Sequence, residues 1–186
     1  MKYFKPELLR RCRSLDDDAA DVAAAEWEQA IAAYRARLRA IRSRLPSGAD
    51  RLLARFTLHD AQLLTIADDT KRPRLTLLVR LEGTRDQPGP VLELSYLLVA
   101  GPHGGVVFRK HAGLGHKALG PRGVLYDELN LDEERAFFTH SLLLTDGFEI
   151  EIRFHDLRVR ARARGQALFP SPELPEGERT WPLIEV

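Results

Sequence analysis

Residues 136–155 read AFFTHSLLLTDGFEIEIRFH, and the reading of this stretch decides the fold. On both sides of Asp146-Gly147 apolar and polar side chains alternate with a period of two, as in a half-buried strand, and Asp-Gly between two such runs marks a hairpin turn. Taken as a two-residue loop, the turn closes Thr145 against Phe148. It then pairs Leu144 with Glu149, Leu143 with Ile150, Leu142 with Glu151, Ser141 with Ile152, His140 with Arg153 and Thr139 with Phe154. One face of this hairpin holds Phe148, Ile150, Ile152, Phe154 and Leu143 and is expected to be core. The other holds His140, Glu149, Glu151, Arg153 and His155 beside Leu142, Leu144 and Phe138. An open partner surface is expected there, because two buried glutamates would both need partners and only Arg153 is at hand.

Outward from the hairpin the period of two recurs. Leu75, Leu77, Val79 and Leu81 alternate with Thr76, Leu78 and Arg80, and Leu92, Leu94, Tyr96 and Leu98 with Glu93, Ser95 and Leu97. Similar runs lie near residues 58–66, 106–110, 124–131 and 148–160, separated by turn material. Strands in succession without helices between them imply an antiparallel meander. Beyond Ala167 the residues Pro170, Pro172, Pro175 and Pro182 predict an extended tail anchored by Phe169, Trp181 and Leu183.

Towards the N-terminus the period changes to 3.6. From Leu15 to Leu45 there is no Gly or Pro, and Ala20, Ala24, Trp27, Ile31, Tyr34, Leu38, Ile41 and Leu45 form one stripe. Ser14 with Asp17 predicts the cap, and Pro46-Ser47-Gly48 the stop. Short helices are expected at residues 5–12 and 51–56. The expected architecture is therefore α+β: a helical segment at 1–56 with one long helix, an antiparallel sheet or open sandwich of six to seven strands at 57–166, and a Pro-rich tail at 167–186, all one folding unit. The Trp27 to Leu45 stripe is expected to pack on one face of the sheet.

Composition narrows the class. A chain of 186 residues suits one domain with its own core, and the single cysteine, Cys12, excludes an internal disulfide and fits a reducing compartment. No apolar run reaches the ~18 residues of a membrane span, and the N-terminus lacks a signal-peptide pattern, so a cytoplasmic protein without membrane contact is expected. Lys and Arg number 28 against 27 Asp and Glu, a balance that leaves no global field to attract phosphate and argues against nucleic acid as a partner.

The chemistry-bearing motifs are sparse. His59-Asp60 has the form of a metal-binding pair, but no histidine precedes it, and a polar strand start is the plainer reading. His103, His111 and His116 lie in or beside Gly-rich loops at spacings that match no zinc pattern and read as solvated. Lys117 lacks the Ser or Thr that a phosphate-binding loop requires. Glu149 and Glu151 alternate as on an exposed strand, and Arg158, Arg160, Arg162 and Arg164 as on a charge-protected edge. No catalytic, cofactor or metal residues are assigned.

Three islands carry a resemblance. Met1-Lys2-Tyr3-Phe4, Phe56-Thr57-Leu58-His59-Asp60-Ala61, and the segment from His140 through Asp146-Gly147 to Phe154-His155-Asp156 are similar to bacterial families of unknown function in which a helical N-terminus precedes a strand-rich domain. Small strand-rich proteins of this style with a His-Asp strand start resemble immunity proteins that neutralise toxins. The resemblance implies this style of fold and no activity. The first functional reading is a non-enzymatic protein-interaction module, immunity-like or accessory, with an unidentified protein partner and a candidate surface of His59, Asp60, His140, Glu149, Glu151, Arg153 and His155. A second reading is a metal-assisted hydrolase using His59, Asp60 and His140. A third is nucleic-acid binding through the Arg-rich helix.

Overall fold

In a computed structural model the chain is described over residues 1–69, 71–84, 87–101, 105–112, 114, 122–162 and 178–180. Helices α1 (Pro6–Cys12), α2 (Asp17–Ile41) and α3 (Ser47–Arg55), with a 3-10 turn at Arg42–Arg44, precede eight strands among the described residues. The strands are β1 (Gln62–Asp69), β2 (Arg74–Arg80), β3 (Val91–Leu98), β4 (Gly105–Lys110), β5 (Arg122–Asp132), β6 (Phe137–Leu144), β7 (Phe148–Arg162) and β8 (Glu178–Thr180). The expected α+β chain with an antiparallel sheet is what forms. The sheet also closes: the order β2-β3-β7-β6-β5-β1 returns to its start because β1 pairs with β2 as well as with β5. β4 continues β3 along the same edge of β7, and β8 adds to β1 at Ala67–Asp69. Apart from β8, the tail at 167–186 lies outside the described residues, as do His103, His116 and Lys117. No helix among the described residues is long and apolar enough to cross a membrane.

The interior of the ring is lined mainly by apolar side chains. Leu63, Leu77, Leu92, Leu94, Leu129, Leu142, Ile152 and Phe154 are fully buried there, with Ala49 and Leu52 of α3 in the same cluster.

The β6–β7 turn contains three residues, not two. Gly147 N–H donates to the Leu144 carbonyl at 2.9 Å, Gly147 takes φ +80°, and the Asp146 carboxylate accepts the Phe148 N–H at 3.1 Å. A three-residue loop with glycine in the left-handed position is the next most common hairpin connection. It slips the expected register by one residue: His140 faces Ile152, Ser141 faces Glu151, Leu142 faces Ile150 and Leu143 faces Glu149. A one-residue slip sends a strand's side chains to the opposite face, so His140, Leu142 and Leu144 turn inward and Leu143 turns outward. A register shift in the β3–β7 ladder beside His155 changes the phase again, and Leu157 and Val159 regain the core.

The long helix meets the sheet along an edge. After pairing with β1 at Arg122 and Gly123, β5 has no strand partner on its outer edge among the described residues. Unpaired backbone groups of this kind need cover. Side chains supply it: the Tyr34 hydroxyl accepts the Leu129 N–H at 2.7 Å, Arg37 Nη2 donates to the Leu131 carbonyl at 2.8 Å, and the His59 ring bonds the Leu125 carbonyl. Tyr34 and Ile41 are the buried members of the expected stripe, and Ala23, outside it, is buried where Ala24 is exposed. Asp16, not Ser14, is the cap, accepting the Ala19 N–H at 3.3 Å. Leu15 stands outside the helix, fully exposed.

The arginine run on β7 is no bare edge. Glu93 and Ser95 of β3 pair with Arg160 and Arg158, and α3 closes on the Leu157 carbonyl through Gly48, where a Cβ would lie 1.7 Å from that oxygen. Gly48→Ala should therefore cost about 1–3 kcal/mol by prying α3 from β7. Gly147→Val should cost about 1–2 kcal/mol through its left-handed backbone. Thermal melting of both variants checks this, and unchanged midpoints would contradict the close approach and the turn.

Candidate functional site

The outer face of β4, β7, β6 and β5 is a grid set by the observed pairings. One row runs Arg109, Glu149, Leu143, Tyr126; the next runs Val107, Glu151, Ser141, Glu128; the third includes Arg153, Thr139 and Asn130. The second partner that sequence reasoning did not find for the glutamates comes from β4. Arg109 Nη1 reaches Glu151 at 2.8 Å and Glu149 at 3.4 Å, and Arg153 grips Glu151 Oε1 through Nη2 at 2.7 Å and Nε at 2.9 Å. His111, read as a solvated loop residue, instead places Nε2 2.7 Å from Glu149, which the Met1 amine also contacts. Glu149 is 1% exposed, so this part of the face is covered and not open as expected.

The cover is the N-terminal strap. Glu128, itself 3% exposed, accepts the backbone N–H groups of Lys2 at 2.8 Å, Tyr3 at 2.7 Å and Phe4 at 2.5 Å. A carboxylate facing successive amides is an anion in a backbone nest. Phe4 then packs against Trp27, Tyr34 and Tyr126 at ring-centroid distances of 5.3, 5.2 and 5.5 Å. Between strap and grid remains a cleft of about 510 Å³, its floor Glu128, Glu149, Glu151, Arg109, Thr139 and Ser141 and its rim Lys2, Lys5 and Glu7.

Burial by itself pushes the Glu149 carboxyl up, but hydrogen bonds from the Met1 amine and His111, with the charge of Arg109, outweigh it and hold the group below the usual carboxylate range. Glu151 follows the same balance, burial being overcome by Arg109 and Arg153. Both carboxylates are firmly ionised.

His140 lies on the other side of the sheet. It is 0% exposed, its Nδ1 is 2.7 Å from the Tyr96 hydroxyl and its Nε2 is 3.1 Å from Asp127 Oδ2. A carboxylate only accepts, so Nε2–H donates to Asp127, while Nδ1 and the Tyr96 hydroxyl bond each other. Burial, with the charge of Asp127 adding to it, drives the Tyr96 hydroxyl well above the ordinary phenol value and keeps it protonated. This is a satisfied core network, and among the described residues no buried side-chain polar atom lacks a partner.

The seven residues expected on one surface are thus distributed. Glu149, Glu151 and Arg153 share the grid and His140 faces the interior. His155 is exposed at the β7 phase change, and His59 and Asp60 pair at 3.3 Å beside Tyr126. Asp60 takes φ +61° and its amide closes the ring against the Val124 carbonyl at 2.9 Å. Glu128, Arg109, His111 and the strap were the residues missed. Among the described residues no group of three or more His, Cys, Asp or Glu is placed to hold a metal ion. The chain matches no family model and no curated protein.

Two outcomes follow from this arrangement. His140→Ala strands Tyr96 and Asp127 and should cost about 2–4 kcal/mol, whereas Arg153→Ala should cost clearly less because Arg109 still holds Glu151. Equal losses in thermal melts would contradict the placement of His140. Carboxylates with depressed native values contribute stability that is complete above the ordinary value of about 4.3 and is lost as the pH falls through the native one. Melting temperature should therefore drop on acidification below about pH 4.3, and Glu149→Gln should flatten that dependence. The same slope in both proteins would remove Glu149 from the account.

Proposed function

We propose that this chain is a cytoplasmic, non-catalytic protein-interaction module, in the manner of an immunity or accessory protein, and that the strap-roofed cleft with the adjoining grid is its contact surface. The carrying observation is the fixed cluster of charged side chains, Arg109, Glu149, Glu151 and Arg153, cross-braced between β4 and β7. A partner that docks on them orders little that is not already ordered, which is where preorganised binding gains. Acid–base chemistry needs the opposite tuning, a carboxyl raised toward neutrality, whereas these two are lowered. The hydrolase reading is further disfavoured by His140, which spends both ring nitrogens inside the ring of strands, away from the exposed pair His59 and Asp60.

The test uses Thr139→Trp, which fills the cleft with an uncharged side chain and removes no charged group of the grid. Both proteins serve as bait in lysate of the source organism, with melting temperature and native mass recorded. The expected result is one protein captured in near-equal amount by the wild type and lost by the variant at unchanged melting temperature. A retained small molecule, or a turnover activity abolished by the same variant, would contradict the reading.

A further inference from the structure

The bonds already spent in the cleft indicate which charge it can still accept. Glu128 is occupied by three backbone amides, Glu149 by Arg109, His111 and the Met1 amine, and Glu151 by Arg109 and Arg153. Each of these carboxylates already receives three hydrogen bonds, which leaves a cationic ligand about one lone pair on each. The donors left over are on the other side of the balance. Among the described residues no carboxylate or carbonyl engages the ammonium of Lys2 or Lys5, Lys2 Nζ resting 5.4 Å from the Tyr3 ring centroid. Arg109 is 40% exposed and spends only Nη1 on the glutamates. The hydroxyls of Thr139 and Ser141 line the cleft without a protein partner, and since no buried polar atom is unpaired they face its solvent. An anion satisfies these donors without breaking a bond.

Building on the protein-interaction reading above, we propose that the cleft takes an acidic segment of the partner, with carboxylates of Asp or Glu side chains bound by Lys2, Lys5 and Arg109 and by the hydroxyls of Thr139 and Ser141. Discrete carboxylates can be seated between the wall's own acids. A continuous phosphate backbone would run against Glu7, Glu128, Glu149 and Glu151, and among the described residues no Phe, Tyr or Trp lines the cleft for a base to stack on. Among the described residues Glu7 is the one lining carboxylate without a partner, exposed at the rim, so it opposes such a ligand and supplies a control of reversed sign.

The experiment is fluorescence anisotropy of the full chain with labelled hexaglutamate, hexalysine and oligothymidylate, and competition by citrate, at low and high salt. Lys2, Lys5 and Glu7 are exposed, and unchanged melting temperatures verify that their variants fold. Hexaglutamate should bind with steep salt dependence, weaken about tenfold in Lys2→Glu/Lys5→Glu, and tighten about twofold in Glu7→Gln. Preference for hexalysine, or weakening in Glu7→Gln, overturns the proposal, and equal binding of oligothymidylate overturns it in favour of nucleic acid. Citrate competing as tightly as hexaglutamate binds overturns the protein-interaction reading beneath it. Failure of hexaglutamate while the stoichiometric partner is still captured overturns only the acidic class.

Discussion

The phase of β7 is the constraint on which the rest of the structure depends. This strand of 15 residues pairs along its first half with β6 and β4 and along its second half with β3, so both sides of the ring take their register from it. Its entry is set by a three-residue turn and its second half by the register shift beside His155. Each device moves side chains by one position, and each move exchanges the inner and outer faces. The inner face thereby receives Ile150, Ile152, Phe154, Leu157 and Val159. The outer face receives Glu149 and Glu151, and all the polar chemistry of the cleft follows from that division.

Closure creates a second requirement. A ring has no free strand edges only where its ladders run full length, and the β1–β5 ladder covers just Gln62–Leu63 against Gly123–Arg122. The uncovered stretch of β5 explains why a protein with a complete barrel core also carries a helix of 25 residues. Tyr34 and Arg37 act as substitutes for a missing strand, and burial drives the Tyr34 hydroxyl far above the ordinary phenol value, which keeps it able to receive the Leu129 amide while protonated. The aromatic cluster of Phe4, Trp27, Tyr34 and Tyr126 then joins the helix to the strap, and Glu128 ties the strap back to the same strand.

What the sequence disclosed was local in origin. Alternation along Leu75 to Leu81 and Leu92 to Leu98 and the 3.6-residue stripe through Trp27 and Tyr34 are properties of neighbouring residues, and they identified the α+β class and the antiparallel strands. The turn length was not legible, because Asp146-Gly147 suits both a two-residue primed turn and a three-residue loop with glycine at positive φ. That one-residue ambiguity moved His140 from the core to the surface on paper. The partners of Glu149 were not legible for a different reason: Arg109 is 40 residues away in sequence and the Met1 amine 148. Nothing in either local pattern marks the other. Burial of two glutamates looked prohibitive only because those distant cations were uncounted.

The most direct test of the account is the register of β6 against β7, read from cross-strand nuclear Overhauser contacts in the full chain. The account predicts backbone contacts that place Leu142 opposite Ile150 and His140 opposite Ile152, together with a contact between the Tyr96 hydroxyl proton and the His140 ring. Contacts that place Leu142 opposite Glu151 and His140 opposite Arg153, with no signal from a protected Tyr96 hydroxyl, would contradict it.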